Sequence, residues 1–251
     1  MTKLKAENIT VTFENDPVIE NVSLELGQGE IVSLIGASGS GKTTFFNAVS
    51  GLNKADSGKV FLDGEDITGK TGKVSYMLQK DLLLPHYTII DNVSLPLVMK
   101  GEKKKAAREK AGKYFELFGL KGCEKKYPSE LSGGMRQRAA LMRTYLTGND
   151  VVLLDEPFSA LDTITKSAMH SWYLDIIKEI GLSTIFVTHD IDEAILLSDR
   201  VYILSGVPGK ITDEIKIDLP KPRSTDEVTD EAFVRYKRLI KEKIKQSAVR
   251  A

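Results

Sequence analysis

One glycine-rich stretch limits the possible folds of this chain more than any other part of its sequence. Residues 36–43 read Gly-Ala-Ser-Gly-Ser-Gly-Lys-Thr, between the aliphatic run 31–35 and the helix-like residues 44–49. In the order strand, loop, helix, successive backbone N–H groups can surround a phosphate, and the helix dipole adds positive potential at the same point. A Gly/Ser surface loop is the simplest alternative, but it needs no Lys-Thr pair at a helix start.

The loop therefore predicts a site for a nucleoside triphosphate. We expect Lys42 to contact the β- and γ-phosphates, and we expect the hydroxyl of Thr43 to bind Mg²⁺. The rest of the loop supplies backbone N–H groups. The predicted phosphate-binding residues are Gly36, Ala37, Ser38, Gly39, Ser40, Gly41, Lys42, Thr43 and Thr44.

Length, charge and cysteine content exclude several classes of protein. The 251 residues suffice for one α/β domain with a smaller insertion. Since 35 basic residues balance 35 acidic ones, no overall field favours nucleic acid, and we expect no nucleic-acid partner. The single cysteine, Cys123, excludes an internal disulfide and suits a reducing compartment. No apolar run is long enough to span a membrane and the N-terminus lacks a secretion signal, so we expect a cytoplasmic protein.

Periodicity divides the chain into β-rich and helical parts. Residues 4–13 alternate as in a strand, residues 58–64 read as a hairpin closed at Asp-Gly, and the continuous apolar run 151–154 is typical of a buried parallel strand. Between them, weak strand signals and the helical spacing of residues 110–120 predict a helical insertion. Near the C-terminus, aromatic and aliphatic residues recur at helical spacing, which predicts an amphipathic helix docked on the protein itself. These residues are Phe233, Tyr236, Ile240 and Ile244.

Two acidic residues follow the buried run. Asp155 and Glu156 come at the carboxyl end of a strand, where α/β sheets bind their ligands. One carboxylate there can hold Mg²⁺, usually through water, and its neighbour can polarise the attacking water. A charged junction between strand and loop is a common alternative, but the phosphate loop elsewhere in the chain favours the metal and catalytic roles.

A second helix start carries the most specific signal. Residues 131–138 read Leu-Ser-Gly-Gly-Met-Arg-Gln-Arg, which again places small residues at a helix N-terminus suited to phosphate. One triphosphate does not need two such helix ends from one chain. Here the sequence resembles the ATP-binding cassette (ABC) ATPases, whose signature motif is Leu-Ser-Gly-Gly-Gln/Met with Gln-Arg following. The resemblance implies that Ser132, Gly133 and Gly134 contact ATP held by a second copy of the chain, in a head-to-tail dimer with two shared sites.

Further motifs follow in the order of that family. The resemblance implies that Gln79 contacts Mg²⁺ and water and senses the transport subunit, and that Asp162 lies in the loop that crosses the dimer interface. It also implies that His189 contacts the γ-phosphate. Phe13 lies where the family has an aromatic residue that stacks on adenine, although an ordinary strand aromatic is the alternative.

The periodicity together with the resemblance implies an α/β fold, a P-loop NTPase (RecA-like) core with an antiparallel β subdomain and an inserted α-helical subdomain. The predicted limits are 1–80 and 136–220 for the ATP-binding core with its β subdomain, 81–135 for the helical signature subdomain, and 221–251 for a C-terminal helical tail. The expected cofactors are ATP and Mg²⁺. The predicted catalytic residues are Glu156, His189, Lys42 and Gln79, and the predicted magnesium ligands are Thr43, Gln79 and Asp155.

Three functional classes are considered for this chain: a transporter ATPase, a soluble ABC protein of translation or DNA repair, and a small-molecule P-loop kinase. The signature motif argues against the kinase, and soluble ABC factors usually carry two cassettes or long coiled-coil insertions. The chain most resembles the ATPase of an importer with a separate permease; a soluble ABC ATPase not linked to transport is the alternative. The implied partners are a second copy, integral-membrane permease subunits and, indirectly, a solute-binding protein, which places the chain on the cytoplasmic face of the membrane.

Two resemblances refine this interpretation. Residues 82–86 and 88–93 resemble the segment that receives the permease, and an exposed apolar patch there would need a partner to cover it; packing beneath the insertion is the alternative. Other segments resemble the nitrate/sulfonate/taurine importer group, which includes importers of pyrimidine vitamin precursors. These segments are 156–162, 187–194, 208–211 and 219–223. The solute does not touch this subunit, so its identity is not readable here.

Overall fold

The structure of the protein, a computed structural model, describes residues 1–221 and 223–250. Pro222 and Ala251 of the predicted tail lie outside the described residues. The strands are β1 (Thr2–Phe13), β2 (Asp16–Gly27), β3 (Ile31–Ile35), β4 (Ser57–Leu62), β5 (Glu65–Asp66), β6 (Ser75–Met77), β7 (Val151–Asp155), β8 (Ser183–Thr188), β9 (Arg200–Ser205) and β10 (Lys210–Lys216). The α-helices are α1 (Lys42–Val49), α2 (Ile89–Met99), α3 (Lys104–Gly112), α4 (Gly133–Tyr145), α5 (Thr163–Ile180), α6 (Ile191–Leu197) and α7 (Glu231–Arg250).

A small antiparallel sheet has the strand order β2-β1-β4-β5. Strand β1 confirms the predicted alternation, since Leu4, Ala6, Ile9 and Val11 are all buried. The odd step from Ala6 to Ile9 is explained by a shift in the β1/β2 register at Asn8, which has a φ of 51°. Because the bulge adds one residue, both apolar side chains reach the same face.

The larger sheet has the strand order β10-β9-β3-β8-β7-β6, and only its edge strand β10 runs antiparallel to its neighbour. Every residue of β3, β7 and β8 is buried. Alternate residues of β7 enter two different cores: Val151 and Leu153 face the small sheet and α1, whereas Val152 and Leu154 face the helices. Both faces are covered, which is why these strands read as continuous apolar runs.

The helical insertion differs from the sequence prediction in one respect. Helix α3 ends at Gly112, and residues 113–119 form successive turns rather than the expected continuation. Phe115, Phe118 and Leu120 are nevertheless buried in the helical core. Their apolar spacing was read as a helix, but glycine weakens a helix at this point and the aromatic side chains can be buried from turns as well.

The C-terminal helix α7 docks on the core of the same chain, as predicted. Phe233 and Ile240 are fully buried, and the ammonium of Lys237 lies 2.7 Å from the carboxylate of Asp192 on α6. Before the helix, the buried guanidinium of Arg223 donates hydrogen bonds to four backbone carbonyls, two of them at the end of α6. Within the described ranges no helix combines the length and apolarity that crossing a bilayer requires.

Candidate active site

A cleft of about 560 Å³ lies where the carboxyl ends of the parallel strands meet. The loops after β3, β6, β7 and β8 all reach it, because parallel strands end at the same edge of a sheet. Sequence reasoning predicted most of the residues that line it, from four separate segments of the chain. The lining residues are Val18, Ser38, Gly39, Gly41, Lys42, Thr43, Thr44, Gln79, Glu156 and His189.

The phosphate loop requires glycine at defined positions. Gly39 and Gly41 have φ values of 82° and 94°, which side chains rarely tolerate. A Cβ on Gly41 would lie 2.3 Å from the Ile19 side chain, and one on Gly36 would lie 2.2 Å from the carbonyl oxygen of Leu204. Gly41 is also the N-cap of α1, where no side chain caps the helix. The start of α1 therefore keeps its positive end available for an anion.

Lys42 points back over the loop. Its buried ammonium donates hydrogen bonds to the carbonyl oxygens of Gly36 at 3.0 Å and Ala37 at 2.8 Å. Burial lowers the pKa of this ammonium, while the nearby charges of Glu156 and Asp155 act in the opposite direction. A phosphate would offer the buried cation a stronger, charge-assisted partner than two neutral carbonyls.

Asp155 ends β7 and is only 5% exposed. Its Oδ2 accepts hydrogen bonds from the Thr43 hydroxyl at 2.9 Å and from the Tyr76 hydroxyl at 3.3 Å. Burial raises the pKa of this carboxyl and the charge of Glu156 raises it further, although the two hydrogen bonds and the charge of Lys42 oppose the shift. A buried carboxylate with an elevated pKa is a group that a bound cation would stabilise.

The donor set near Asp155 fits Mg²⁺. The Thr43 hydroxyl and the Asp155 carboxylate lie side by side, and hard oxygen ligands of this kind suit magnesium. Across residues 1–221 and 223–250, no group of three or more His, Cys, Asp or Glu side chains is arranged to hold a metal. Mg²⁺ typically uses one or two protein ligands, substrate phosphates and water, so the pair would bind it together with a nucleotide.

Glu156 contacts two other predicted catalytic residues, Gln79 and His189. Its Oε2 accepts a hydrogen bond from Gln79 Nε2 at 3.3 Å and lies 3.2 Å from His189 Nδ1. Glu156 has a φ of 45°, an uncommon value for a residue with a side chain. Its N–H donates to Val187 and its carbonyl accepts from Ser159, so backbone hydrogen bonds on both sides hold this conformation. The side chain of His189 is 61% exposed and faces the open cleft.

The residues of the signature motif lie outside this cleft. Ser132 is the N-cap of α4, and Asp162 is the N-cap of α5 and accepts a hydrogen bond from the Thr165 N–H at 3.0 Å. A Cβ on Gly134 would lie 3.0 Å from the Thr165 methyl group, so these two helix starts pack on each other. None of Ser132, Gly133, Gly134 or Asp162 is among the cleft-lining residues.

Comparison with known proteins assigns the family. The model of the ABC transporter family matches residues 19–159, which is more than half of the chain. This chain belongs to the ABC transporter family. The match runs from β2 through the phosphate loop, the signature motif and Glu156, and so includes most of the site described above.

Two relatives and one solved structure show how close the likeness is. The ABC chain is 42% identical to the formylaminopyrimidine import ATP-binding protein ThiZ of Halalkalibacterium halodurans, with 89% of each chain covered. It is 42% identical to the aliphatic sulfonates import ATP-binding protein SsuB of Bacillus cereus, covering 86% of this chain and 84% of that one. The dimeric structure of MJ0796, a bacterial ABC transporter cassette, superposes with a TM-score of 0.74 at 29% identity, covering 86% of this chain and 100% of that one.

These comparisons confirm several of the predictions made from the sequence. The P-loop NTPase fold class is confirmed, as is the identification of the chain as an ABC ATPase that couples ATP hydrolysis to transport. Both relatives are named import ATP-binding proteins, so the prediction of an importer ATPase is also confirmed.

The structure adds residues of the ABC ATPase that sequence reasoning missed. Val18 lines the cleft from β2, whereas Phe13, at the hairpin end of β1, is 49% exposed and does not line it. Tyr76 contacts Asp155, and its position three residues before Gln79 was the only signal in the sequence. The adenine-stacking role of Phe13 stays a prediction.

Proposed function

We propose that this ABC importer ATPase works as a homodimer that closes on two ATP molecules, each with Mg²⁺, and that closure drives a separate permease. The observation that carries the proposal is the separation of two half-sites in one chain. The phosphate loop and Glu156 line the cleft, whereas Ser132 and Asp162 cap helices outside it. A second copy placed head to tail would bring its helix start at Ser132 to the open side of the cleft.

Each cleft residue has a role in hydrolysis. Lys42 and the N–H groups at the start of α1 would bind the phosphates, with Thr43, Asp155 and Gln79 as ligands of Mg²⁺, which when bound neutralises phosphate charge. Glu156 would accept a proton from the attacking water as the bond between the γ-phosphorus and the bridging oxygen breaks, releasing ADP and phosphate.

The other roles concern geometry and the second copy. His189, 3.2 Å from Glu156, would donate to the γ-phosphate and keep the carboxylate in place. Phe13 would stack on the adenine. From the second copy, Ser132, Gly133 and Gly134 would contact the γ-phosphate through a helix N-terminus, and Asp162 would cross the interface. Loss of the γ-phosphate would remove the contacts that it makes with the second copy and would reopen the dimer.

Glu156→Gln tests the shared site. The amide preserves the shape of the side chain but cannot accept the proton, so we expect ATP binding without turnover and an ATP-dependent dimer, measured by size-exclusion chromatography with light scattering. Adding Ser132→Asp to this variant places a negative charge at the helix end facing the γ-phosphate and should abolish the dimer while ATP binding persists. A Glu156→Gln chain that stays monomeric at millimolar ATP contradicts the proposal.

An exposed apolar patch beside Gln79 fits the permease. Leu78, Leu82, Leu84 and Tyr87 are exposed, Leu82 by 52%, and a patch of this kind usually marks a protein interface. Leu83 is buried and packs beneath the insertion, so it does not belong to the patch. With the permease seated here, the ATPase would lie peripherally on the cytoplasmic face of the membrane, and a solute-binding protein would contact the permease rather than this chain.

Leu84→Asp tests the docking patch. A charge at this exposed position should leave the isolated fold and its ATP binding unchanged but should strongly reduce co-purification with the permease encoded beside it. Val207→Asp is the matched control, since Val207 is exposed in the turn between β9 and β10, at the opposite edge of the large sheet from β6, the strand that precedes the patch. Equal recovery of the permease with both variants would remove the support for this docking site.

The substrate class and the domain limits complete the proposal. Import of formylaminopyrimidine and of aliphatic sulfonates by the relatives supports a small solute of the nitrate/sulfonate/taurine type or a pyrimidine vitamin precursor. A ligand screen on whichever solute-binding protein is found to be encoded beside this chain tests this. The domain division 1–80 and 136–220, 81–135, and 221–251 is proposed as well. In this division the boundary between residues 135 and 136 falls inside α4, close to its start at Gly133.

A further inference from the structure

A buried polar cluster lies directly behind His189 and has no part in the roles above. Its centre is Glu193, in the first turn of α6 and only 4% exposed. Glu193 Oε1 lies 2.5 Å from Lys166 Nζ and 3.3 Å from His170 Nε2. Its Oε2 accepts a hydrogen bond from the Thr188 hydroxyl at 2.5 Å. Both carboxylate oxygens therefore have partners.

The cluster keeps Glu193 charged although it is buried. Burial raises the pKa of the carboxyl, but the hydrogen bonds from His170, Lys166 and Thr188 together outweigh burial and hold the pKa below its ordinary value. Lys166 also contacts Asp190, at 2.8 Å. Removing one partner from a buried ion pair leaves an uncompensated charge, so such a cluster resists rearrangement.

The cluster holds the backbone on both sides of His189. Thr188 precedes the histidine, and its hydroxyl accepts a hydrogen bond from the N–H of Asp190, which follows it, at 3.0 Å. Asp190 in turn caps α6 by accepting hydrogen bonds from the N–H groups of Asp192 and Glu193. The two neighbours of His189 are thus fixed, while its own ring faces the cleft, where its Nδ1 lies 3.2 Å from Glu156 Oε2.

The same cluster reaches the helix that follows Asp162. Lys166 and His170 are one turn apart on α5, which begins immediately after Asp162. We propose that Glu193 is a positioning residue, which holds the backbone around His189 and ties it to α5, the helix that begins at the Asp162 loop. The inference rests on the proposed role of His189 at the γ-phosphate.

Glu193→Gln tests the inference because glutamine keeps the shape but removes the charge. We expect kcat to fall by about tenfold or more while KM for ATP changes less than about threefold, since the geometry of a catalytic group is lost rather than nucleotide binding. Glu179→Gln, an exposed position on α5, is the matched control and should leave both constants unchanged. An unchanged kcat for Glu193→Gln overturns the inference.

A double-mutant cycle separates positioning from a general structural role. If Glu193 acts through His189, then Glu193→Gln should have almost no further effect on kcat in a His189→Ala chain. The same fold loss in both backgrounds would overturn the inference. A His189→Ala chain with unchanged kcat would instead contradict the proposed role of His189, and the spectroscopic measurement then decides the positioning.

The imidazole NMR signals provide that second readout. The chain has three histidines, so the signals can be assigned by single substitutions. We expect Glu193→Gln to shift or broaden the His189 ring signals in the ADP-bound protein, and we expect Glu179→Gln to leave them unchanged. His189 signals that are identical in Glu193→Gln and in the unsubstituted protein would overturn the inference regardless of the kinetics.

Discussion

At the scale of single residues, the buried carboxylate of Asp155 belongs to the site but lowers the stability of the nucleotide-free fold. The carboxylate is buried beside Glu156, and its hydrogen bonds from Thr43 and Tyr76 only partly offset the burial. Its raised pKa means that ionisation makes the nucleotide-free fold less stable. A bound cation would reverse this effect, so the same carboxylate that weakens the fold would strengthen the complex.

Asp155→Asn should therefore stabilise the nucleotide-free protein. We expect Tm to rise by roughly 2–4 °C at neutral pH, the shift that about 1 kcal/mol produces in a chain of this size. The stabilising contribution of the wild-type carboxyl is present below its unfolded pKa and is lost as pH rises through the raised folded pKa. The gap between variant and wild type should therefore close below about pH 4.

Calorimetry across a pH series measures that gap. Asp175→Asn, an exposed position on α5, is the control and should show no comparable difference. The variant should also lose the additional Tm increase that Mg²⁺ gives in the presence of ATP. A lower Tm for Asp155→Asn at neutral pH would contradict the account of its burial.

At the scale of elements, the loop between β3 and α1 combines backbone strain with close packing. Gly39 and Gly41 both have φ values closed to most side chains, but their surroundings differ. A Cβ on Gly39 would meet nothing within 4 Å, whereas a Cβ on Gly41 would collide with Ile19 on β2. The small sheet therefore presses against the loop at Gly41 and leaves it open at Gly39.

Alanine substitutions at Gly39 and Gly41 should separate the cost of backbone strain from the cost of a steric clash with Ile19. Gly39→Ala should cost about 1–2 kcal/mol of stability from the left-handed backbone alone. Gly41→Ala should cost a further 1–3 kcal/mol or so from overpacking and should weaken ATP binding more strongly. Chemical denaturation and nucleotide titration measure the two effects. Equal losses for both variants would contradict the packing argument.

At the scale of the whole molecule, bound ATP should make the thermal stability of the protein depend on dimer formation. Anything that binds the folded state raises its stability by mass action, and a dimer makes that gain depend on protein concentration. In the Glu156→Gln chain with ATP, we expect Tm to rise with protein concentration, whereas without nucleotide it should be constant. Calorimetry at concentrations spanning about a hundredfold distinguishes the cases; a constant Tm with ATP would contradict closure into a dimer.

The residues of the site that belong to short motifs at strand ends were largely predictable from the sequence. The phosphate loop follows β3, Asp155 ends β7 with Glu156 directly after it, and His189 follows β8. Parallel strands place residues at their carboxyl ends along one edge of the sheet, so their proximity can be predicted without knowledge of packing. The contacts among them were not predictable. Thr43 meets Asp155 across 112 positions of sequence and Tyr76 meets it across 79, and no local rule relates residues so far apart.

The sequence by itself determined the glycine-rich phosphate loop, the buried strand that leads to Asp155, the helix start at the signature motif and the family, because these depend on backbone conformation and short motifs. Only the tertiary structure decided which apolar residues are exposed, burying Leu83 while Leu82 and Leu84 face outward. It also ended α3 at Gly112 and enclosed Glu193 among its partners on α5 and β8. Burial depends on what the rest of the chain brings to a position, and that is settled only when distant segments pack together.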